Sequence, residues 1–418
     1  MIVWRIFLLL CFYLKRGIAM LQNKTIVLGI TGGIAAYKAA EVVSGLKKLG
    51  ADVKVIMTKS AAEFITPLTF MSLSQNPVYT EMFSAPAAWE TQHISLAKAA
   101  DVFAVLPCTA NVIGKIANGI ADDMLTTTVM ATKAPVLIAP AMNTNMYENP
   151  IVQENIEKLK SLGYSFVAPA CGRLACGDTG KGKLAAPEEI LDEIIRLALL
   201  SQRDLCGKKV LVTAGATQES IDPVRYITNH SSGKMGYAIA KAAMLRGADV
   251  TLITGPTHLS LPAHVHVLPV VSAREMYQTV MTHAEEMDII IKAAAVADFT
   301  PAQTAKQKIK KNSKESTSLL LEGTQDILKE LGRLYGGSGK KIIGFCMETE
   351  HLMDNAKKKC TEKNADIIVA NDLSQSGAGF GGDTNIVTFV LRDGTIIPKA
   401  KMSKFEVANA LLDQVVKL

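Results

Sequence analysis

Two segments of the chain share a pattern that restricts the fold strongly: a short β-rich run, a glycine-containing turn, a helix that ends near glycine, and a second β-rich run. In the first segment the runs are Lys24–Gly29 and Val53–Met57, on either side of a predicted helix, Ala35–Gly50. Apolar residues recur at helical spacing in this helix, and Gly50 stands where a C-terminal cap belongs. The pattern predicts a βαβ unit with parallel strands.

The same pattern returns in the second half, with predicted strands at Lys208–Thr213 and Val250–Ile253 and a predicted helix at Gly236–Gly247. Further β-rich runs lie at Val102–Leu106, Val136–Ala139, Phe166–Ala168, Ile289–Ile291, Ile342–Phe345, Ile367–Ala370 and Ile386–Leu391. This alternation predicts an α/β fold with two doubly wound, Rossmann- or flavodoxin-like domains and mainly parallel sheets.

The length of 418 residues allows two domains, each with its own core. A predicted helix, Glu188–Leu200, is followed by the polar segment Ser201–Gly207, so we expect domains at residues 20–200 and 201–418. The segment Ala302–Glu315 is rich in Lys, Gln and Ser and poor in apolar residues. It therefore predicts a mobile loop or flap.

Residues 1–19 are interpreted as an extension that does not belong to the folded protein. The apolar run Met1–Leu14 is too short to span a membrane, and the charges of Lys15 and Arg16 follow it instead of preceding it, unlike a signal peptide. We therefore favour a start at Met20 over a membrane anchor. The seven cysteines form no CxxC motif, which indicates a reducing cytoplasm and argues against structural zinc.

The first glycine turn is a candidate phosphate site, because backbone N–H groups at a helix start attract anions. It consists of Thr31, Gly32 and Gly33. An NAD site would also need an acidic residue after the second strand, but Thr58 and Thr254 are the residues found there in the two halves. A monophosphate ligand such as FMN fits better than a dinucleotide, and a tight turn without a ligand stays open as an alternative.

A second polar loop follows the β-rich run Val102–Leu106. Its Thr109 and Asn111 stand at the carboxyl end of a predicted strand, where open α/β sheets bind ligands. We predict that both contact the same ligand as the glycine turn. The alternative is that Thr109 or Asn111 only caps the helix that follows.

Three motifs of the first half resemble those of the FMN-dependent cysteine decarboxylases, which include the phosphopantothenoylcysteine and the lantibiotic-type peptidyl-cysteine decarboxylases. These motifs are Gly29–Ala39 (GITGGIAAYKA), His93–Leu96 (HISL) and Pro140–Met146 (PAMNTNM). The resemblance implies that His93 is the catalytic histidine and that Asn143 binds the substrate carboxylate. It also implies that Cys176, within the string ACGD, is the proton donor of the substrate flap.

By the reaction that this resemblance implies, FMN oxidises the cysteinyl thiol to a thioaldehyde, carbon dioxide leaves, and the enethiol is reduced with a proton from Cys176. A histidine of near-neutral pKa and a thiol suit these proton transfers. Two positions depart from the family pattern: Tyr147 stands where tryptophan is common, and Lys183 stands where arginine is expected. Lysine keeps the charge but loses the bidentate geometry. Cys171 lies close enough in sequence to form a redox or metal-binding pair with Cys176, although no second pair of cysteines completes a zinc site.

Two motifs of the second half, Asp222–Gly236 (DPVRYITNHSSGKMG) and Ala293–Asp298 (AAAVAD), resemble phosphopantothenate–cysteine ligases. The implied reaction activates phosphopantothenate with CTP as an acyl-cytidylate, from which the amine of cysteine displaces CMP. The resemblance assigns stabilisation of the acyl-cytidylate to Asn229, binding of the nucleotide or its Mg²⁺ to Asp298, and turnover of the intermediate to Lys308. It assigns further CTP contacts to Phe345, Lys359 and Lys363.

One loop of the second half departs from the ligase pattern, since Gly323–Asp326 (GTQD) lacks the expected Asn-Pro pair before the aspartate. The charge run that contains Lys308 has the plainer interpretation of a solvated loop. In this order, the two halves resemble the bacterial bifunctional enzymes of coenzyme A synthesis. The implied substrates are 4'-phosphopantothenate, L-cysteine and CTP, and the implied assembly is a homo-oligomer of decarboxylase trimers joined by ligase dimers.

Two other classes of protein compete with this interpretation. A tandem nicotinamide oxidoreductase lacks its ribose-binding acid, and a DNA-associated protein would need interleaved aromatic residues or a reading helix beside its basic loop. The formal charge of +6 fits a protein for anionic small molecules as well as a weak nucleic-acid binder, so it does not separate them. We expect a cytoplasmic enzyme with no nucleic-acid or membrane partner.

Overall fold

The computed structural model describes residues 20–83, 91–175, 177–199, 203–310, 318–348, 352–372 and 382–418. The predicted extension, residues 1–19, and the predicted proton donor, Cys176, therefore lie outside the described residues. The chain divides into two compact units, Met1–Ser201 and Gln202–Leu418. We describe each unit by itself.

The strands of the first unit are β1 (Thr25–Ile30), β2 (Asp52–Met57), β3 (Val78–Tyr79), β4 (Val102–Cys108), β5 (Val136–Pro140), β6 (Ser165–Phe166), β7 (Ala170–Arg173) and β8 (Thr179–Lys183). Its helices are a 3-10 turn at Ile34–Lys38, then α1 (Ala39–Lys48), α2 (Lys59–Ala62), α3 (Pro67–Ser74), α4 (Gln92–Ala99), α5 (Ala110–Ala117), α6 (Met124–Ala131), α7 (Thr144–Tyr147), α8 (Pro150–Ser161) and α9 (Pro187–Ala198).

The main sheet of the first unit has the order β3-β2-β1-β4-β5-β6, and all its pairs are parallel. Every residue of β4 is buried, as expected for a strand with helices on both faces of its sheet. From β1 the chain continues to β2 and β3 on one side of the sheet, and from β4 it continues to β5 and β6 on the other side. The loops after β1 and β4 therefore diverge, and such a switch point leaves a crevice for a ligand.

The strands of the second unit are β9 (Lys209–Ala214), β10 (Gln218–Ser220), β11 (Tyr226–Thr228), β12 (Asp249–Thr254), β13 (His266–Pro269), β14 (Ile289–Lys292), β15 (Phe299–Pro301), β16 (Leu321–Gly323), β17 (Lys341–Glu348), β18 (Ile367–Asp372), β19 (Thr384–Asn385), β20 (Val387–Leu391), β21 (Ile396–Pro398) and β22 (Met402–Ser403). Its helices are α10 (Lys234–Leu245), α11 (Ala273–Ala284), α12 (Ile327–Tyr335), α13 (Leu352–Glu362) and α14 (Lys404–Val415).

The large sheet of the second unit has the order β13-β12-β9-β14-β17-β18-β20-β21. It is parallel from β13 to β18 and antiparallel over its last two pairs. One core packs its central strands against helices α11, α12 and α13, with Ile290, Ile342, Val280, Leu331 and Ala356 all buried. The switch point of this sheet lies between β9 and β14.

The predicted fold class is confirmed, and element boundaries differ from the predicted ones by small amounts. The predicted helix Ala35–Gly50 begins as a 3-10 turn before α1, and Gly50 has φ +84°, the left-handed conformation of a cap. The helix predicted from Gly236 begins two residues earlier, because Gly233 at φ +79° serves as its N-cap. No helix in the described parts of the chain is long and apolar enough to cross a membrane.

Candidate functional sites at the two switch points

Thr31 joins the two loops that flank the switch point of the first unit. Its side chain is fully buried, and its Oγ1 donates to the carbonyl of Pro107 at 2.7 Å. The same oxygen accepts from the N–H of Thr109 at 3.1 Å. Both hydrogen bonds are internal, so the hydroxyl of Thr31 holds β1 and β4 together, and a ligand here would meet the backbone of the turn.

The two glycines after Thr31 serve different purposes. A Cβ on Gly32 would lie 2.3 Å from the Cβ of Ser60, so this glycine permits close packing of the turn against α2. A Cβ on Gly33 would meet only Thr109 Cγ2, at 3.9 Å. The turn is therefore packed tightly on one side at Gly32 and is open beside Gly33.

Two of the predicted ligand-binding threonines are helix caps. Thr58 Oγ1 accepts from the N–H of Ala61 at 3.2 Å, and Thr109 Oγ1 accepts from the N–H of Val112 at 3.4 Å. The capping alternative for Thr109 is thus observed. Asn111 is exposed in the first turn of α5. The starts of α2 and α5 face the same edge of a parallel sheet as the glycine turn, and N–H groups at helix starts suit a phosphate.

The side-chain amide of Asn143 contacts the carboxylate of Asp178. Its Nδ2 donates to Asp178 Oδ2 at 2.9 Å, while its Oδ1 accepts from the N–H of Asn145 at 2.8 Å and so caps α7. Asp178 belongs to the tip of the antiparallel hairpin β7–β8, two residues after Cys176. The structure therefore brings the tip of this hairpin to the predicted carboxylate-binding amide.

The hairpin is held against the loop after β5 by backbone contacts. The N–H of Met142 donates to the carbonyl of Gly182 at 2.9 Å. A Cβ on Gly182, which has φ +130°, would lie 2.4 Å from the carbonyl oxygen of Met142, so only glycine fits this approach. Lys183, the position of the expected arginine, is exposed at the end of β8.

His93 lies in the first turn of α4 and is half-buried. Because α4 precedes β4 in the chain, its start lies at the carboxyl edge of the sheet, on the side of the glycine turn. Among the described residues no hydrogen bond joins His93 to Asn143 or Asp178.

The two described cysteines of the first unit differ in accessibility and position. Burial raises the pKa of Cys108 strongly, so it remains a thiol in the core. Cys171 is exposed and pairs with Lys181 across the hairpin. Burial therefore argues against Cys108 as the proton donor, and the assignment of that role to Cys176 stays a prediction, because Cys176 lies outside the described residues.

In the second unit, two buried threonines fix the AAAVAD segment over the turn after β9. Thr213 Oγ1 accepts from the N–H of Ala294 at 3.1 Å, and Thr217 Oγ1 accepts from the N–H of Ala297 at 3.0 Å. Asn229 then donates from Nδ2 to the carbonyls of Ala295 and Val296, at 3.2 and 3.3 Å. The two motifs of the ligase pattern thus lie in direct contact.

Charged side chains surround the start of α12. Asp326 caps this helix, and Lys363 Nζ donates to Asp326 Oδ2 at 2.7 Å. Burial opposes ionisation of Asp326, yet the hydrogen bond from Lys363 keeps the pKa of Asp326 below its usual value. Asp298 is exposed beside this group, and Thr324 of the divergent GTQD loop donates its N–H to the carbonyl of Asp298 at 2.9 Å.

Lys292, which the sequence analysis missed, ends β14 within this charged group. Burial lowers the pKa of Lys292, the neighbouring Lys359 lowers it further, and Asp326 and Asp298 oppose both effects. Within the described residues the side chain of Lys292 makes no hydrogen bond or ion pair. The sequence signal was a lone lysine that closes the apolar run Ile289–Ile291 immediately before AAAVAD.

Phe345 and Lys308 are less closely connected to this group. Phe345 is half-buried within β17, on the opposite face of the sheet from Ile342 and Cys346, which join the core. Lys308 is exposed in the loop that follows β15. Residues 302–310 of that loop have no regular secondary structure, and the rest of the predicted flap, residues 311–315, lies outside the described residues.

Comparison with known proteins gives matches over both units. A family described as DNA/pantothenate metabolism flavoprotein C-terminal domain matches residues 205–418, and a family described as flavoprotein matches residues 16–199. The coenzyme A biosynthesis bifunctional protein CoaBC of Bacillus subtilis is 49% identical over 401 residues, which cover 96% of this chain and 98% of that protein. The protein of the same name from Escherichia coli is 41% identical over 400 residues, covering 95% and 97%.

Solved structures with similar sequences match one unit each. The C-terminal domain of a coenzyme A biosynthesis bifunctional protein CoaBC shares 43% identity and covers 51% of this chain and 97% of that chain, with a TM-score of 0.44. A PPC decarboxylase mutant in complex with pantothenoylaminoethenethiol shares 32% identity and covers 41% of this chain and 96% of that chain, with a TM-score of 0.38.

Proposed function

This chain belongs to the family of the coenzyme A biosynthesis bifunctional proteins, and we propose that it performs a ligation and a decarboxylation in sequence. The second unit joins L-cysteine to 4'-phosphopantothenate with CTP. The first unit then decarboxylates 4'-phosphopantothenoylcysteine to 4'-phosphopantetheine with FMN. The observation on which the proposal rests is that each unit assembles its own polar site at the switch point of its own sheet.

The residues of the first unit fit FMN and a carboxylate substrate. The N–H groups beside Gly33 and at the start of α5 suit the single phosphate of FMN, with Thr31, Thr58 and Thr109 shaping the turns that present them. FMN, when bound, supplies the oxidation of the cysteinyl thiol that makes loss of carbon dioxide easy, and it later returns the electrons.

The protein side chains of the first unit handle the carboxylate and the protons. Asn143 binds the substrate carboxylate, the same kind of group that its amide contacts in the structure through Asp178. His93 takes up the proton of the thiol. Cys176, two residues before Asp178 in the sequence, returns a proton to carbon at the end of the reaction.

The residues of the second unit fit a nucleotide triphosphate and an acyl intermediate. Lys292, Lys359 and Lys363 supply cations for the phosphates of CTP, with Phe345 as a further contact to the nucleotide. The carboxylate of phosphopantothenate attacks the α-phosphate, pyrophosphate leaves, and the amide of Asn229 stabilises the acyl-cytidylate. Lys308 acts when the amine of cysteine attacks and CMP leaves.

A magnesium ion fits beside Asp298. The described residues contain no cluster of three or more acidic, histidine or cysteine side chains that would form an all-protein site. Magnesium commonly binds one or two carboxylates together with substrate phosphates, and exposed Asp298 supplies such a carboxylate. The ion would neutralise charge on the leaving pyrophosphate.

We further propose a homo-oligomer in the cytoplasm. Large apolar side chains are exposed on the first unit, among them Ile34 at 59%, Tyr37 at 55% and Leu68 at 61%. Neighbouring subunits would cover such side chains. Cys108, Cys171, Cys206 and Cys360 are free thiols, which supports a reducing compartment.

The proposal is tested by separating the two activities in the full-length protein. We expect His93→Asn to abolish carbon dioxide release from phosphopantothenoylcysteine while pyrophosphate release from CTP continues. Asn229→Asp places a negative charge beside an anionic intermediate, so it should abolish pyrophosphate release and leave decarboxylation intact. The purified protein should also show the absorption spectrum of a flavin. Loss of both activities in either variant, or a protein that takes up no flavin, would contradict the proposal.

A further inference from the structure

The carboxylate of Asp222 is buried at the start of the ligase motif. One of its oxygens accepts hydrogen bonds only from the turn that follows Asp222, and the other also accepts from a distant loop. Its Oδ1 accepts from the N–H groups of Val224 and Arg225, both at 2.9 Å, and so closes the local turn. Its Oδ2 accepts from Arg225 Nε at 3.0 Å and from the N–H of Ile309 at 3.1 Å. The hydrogen bonds from Arg225 hold the pKa of Asp222 well below its usual range, so the group is charged.

Both backbone groups of Ile309 are held at this point, since Arg225 Nη2 also donates to the carbonyl of Ile309 at 3.0 Å. Two more hydrogen bonds hold the same loop to the two residues that precede Asp222. The N–H of Ala305 donates to the carbonyl of Ile221 at 3.0 Å, and Thr304 Oγ1 donates to the carbonyl of Ser220 at 3.1 Å. The first part of the predicted flap is therefore anchored along the segment 220–225.

The anchored loop contains the lysine proposed to act on the intermediate. Lys308 directly precedes Ile309, and its side chain is exposed. The segment that holds Ile309 continues through β11 to Asn229. One buried carboxylate thus connects the backbones that present Asn229 and Lys308, which are separated widely in sequence.

We propose that Asp222 is a positioning residue for the ligase reaction, which places Lys308 by holding the backbone of Ile309 together with Arg225. The inference rests on the proposed function of Lys308. Neither Asp222 nor Arg225 needs to touch a substrate in this role. The role differs from general stabilisation of the fold because it predicts a defect in one half of the reaction.

Asp222→Asn separates the two tasks of the carboxylate. The amide oxygen can replace Oδ1 and keep accepting from Val224 and Arg225, so the turn is retained. The amide nitrogen then stands in place of Oδ2 and presents a donor to the N–H of Ile309 and to the Arg225 guanidinium. Two donors cannot bond to each other, so the variant keeps the turn and loses the hold on the loop.

The first readout is structural and independent of activity. In the full-length protein we expect the Ile309 amide of D222N to exchange with deuterium at least about tenfold faster than in the wild type, the factor typical for loss of a hydrogen bond to a charged group. The matched control is Asp204→Asn, which removes a carboxylate that pairs with Arg246 in the same unit. D204N should leave the exchange of Ile309 unchanged.

The second readout divides the reaction into its halves. Labelled CTP and phosphopantothenate are mixed with each variant, and cysteine is then added. We expect D222N to form acyl-cytidylate but to consume it with cysteine about 100-fold more slowly, a usual cost of misplacing a reacting group. K308Q should show the same accumulation, and D204N should behave as the wild type.

The outcomes separate failure of this inference from failure of the proposed function. If K308Q accumulates acyl-cytidylate and D222N does not, Asp222 does not position Lys308 and the inference is wrong. Unchanged exchange at Ile309 in D222N would overturn it as well. If K308Q itself shows no accumulation, the proposed role of Lys308 is wrong and the inference falls with it. Should D222N not fold, Arg225→Lys decides by the second readout, because lysine can pair with Asp222 but cannot also donate to the carbonyl of Ile309; acyl-cytidylate consumed at the wild-type rate in R225K would then overturn the inference.

Discussion

Lys292→Met is expected to change the activity and the stability of the ligase unit in opposite directions. Lys292 ends β14 among Asp298, Asp326 and Lys359, and burial and Lys359 lower its pKa. Methionine has a similar length and is flexible and uncharged, so it can fill the same space. The substitution therefore removes the cation with little change in packing.

The loss of activity can be bounded from the contact that Lys292 is proposed to make. A hydrogen bond to a charged group is worth about 1.5–3 kcal/mol, which corresponds to roughly 10- to 150-fold in kcat/KM for CTP. Stability should be unchanged or higher, because the lowered pKa of Lys292 means that the folded protein disfavours its charged form. For a unit of this size, a gain of about 1 kcal/mol raises Tm by roughly 2–4 °C.

The stability difference should also depend on pH. The pKa of Lys292 is lower in the folded protein than the ordinary lysine value of about 10.4. At pH values between the pKa of Lys292 in the folded protein and its ordinary pKa, the unfolded chain binds more protons than the folded one. The stability of the wild type therefore rises with pH in this range. K292M lacks this ionisation, and the difference between the two proteins should narrow as the pH rises towards the ordinary lysine value.

The assay compares initial rates of pyrophosphate release over a range of CTP concentrations, with Tm measured on the same preparations. Lys401→Met is the matched control, since Lys401 is exposed before β22. It should change neither quantity. An unchanged kcat/KM together with a lower Tm in K292M would identify Lys292 as a structural lysine and refute the proposed phosphate contact.

Three further predictions concern other parts of the two units. Lys308→Gln should accumulate acyl-cytidylate when phosphopantothenate and CTP are supplied, detected with labelled CTP; rapid turnover in this variant would exclude its proposed role. Cys176→Ser should release carbon dioxide but fail to complete the reduction of the enethiol, so mass spectrometry should find the oxidised product, whereas full turnover would move the proton donor elsewhere. Gly236→Val should destabilise the second unit by about 1–3 kcal/mol because a Cβ at this position would lie 2.5 Å from the Cβ of Ala214. Flavin absorption should remain, and Gly323→Ala, with nothing within 4 Å, should be neutral in the same thermal unfolding experiment.

The fold was predictable because its signals are local. Apolar runs such as Val102–Leu106 form fully buried strands, and Gly50 ends a helix in the left-handed conformation that favours glycine. The start of α10 was predicted within two residues, since Gly236 lies against β9. Each of these signals can be recognised within a few residues of sequence.

The details of the sites depend on contacts between distant residues, which one sequence does not reveal. Asp222 and Ile309 are 87 positions apart, and no local pattern links a turn aspartate to the backbone of a basic loop. Thr31 was expected to contact a ligand, but its hydroxyl is used between β1 and β4. A lysine at the end of an apolar strand is ordinarily a surface residue. Lys292 could be recognised as a candidate site residue only from the structure, which places it beside Asp298 and Asp326.

The central claim, that one chain joins cysteine to phosphopantothenate and then decarboxylates the product, is tested most directly by product analysis. The full-length protein is incubated with phosphopantothenate, L-cysteine, CTP and magnesium, and the products are identified by mass. We predict 4'-phosphopantetheine, carbon dioxide, CMP and pyrophosphate in equal amounts, with no product when CTP is withheld. Formation of phosphopantothenoylcysteine without further conversion by a flavin-loaded protein, or of phosphopantetheine without CTP, would contradict the account.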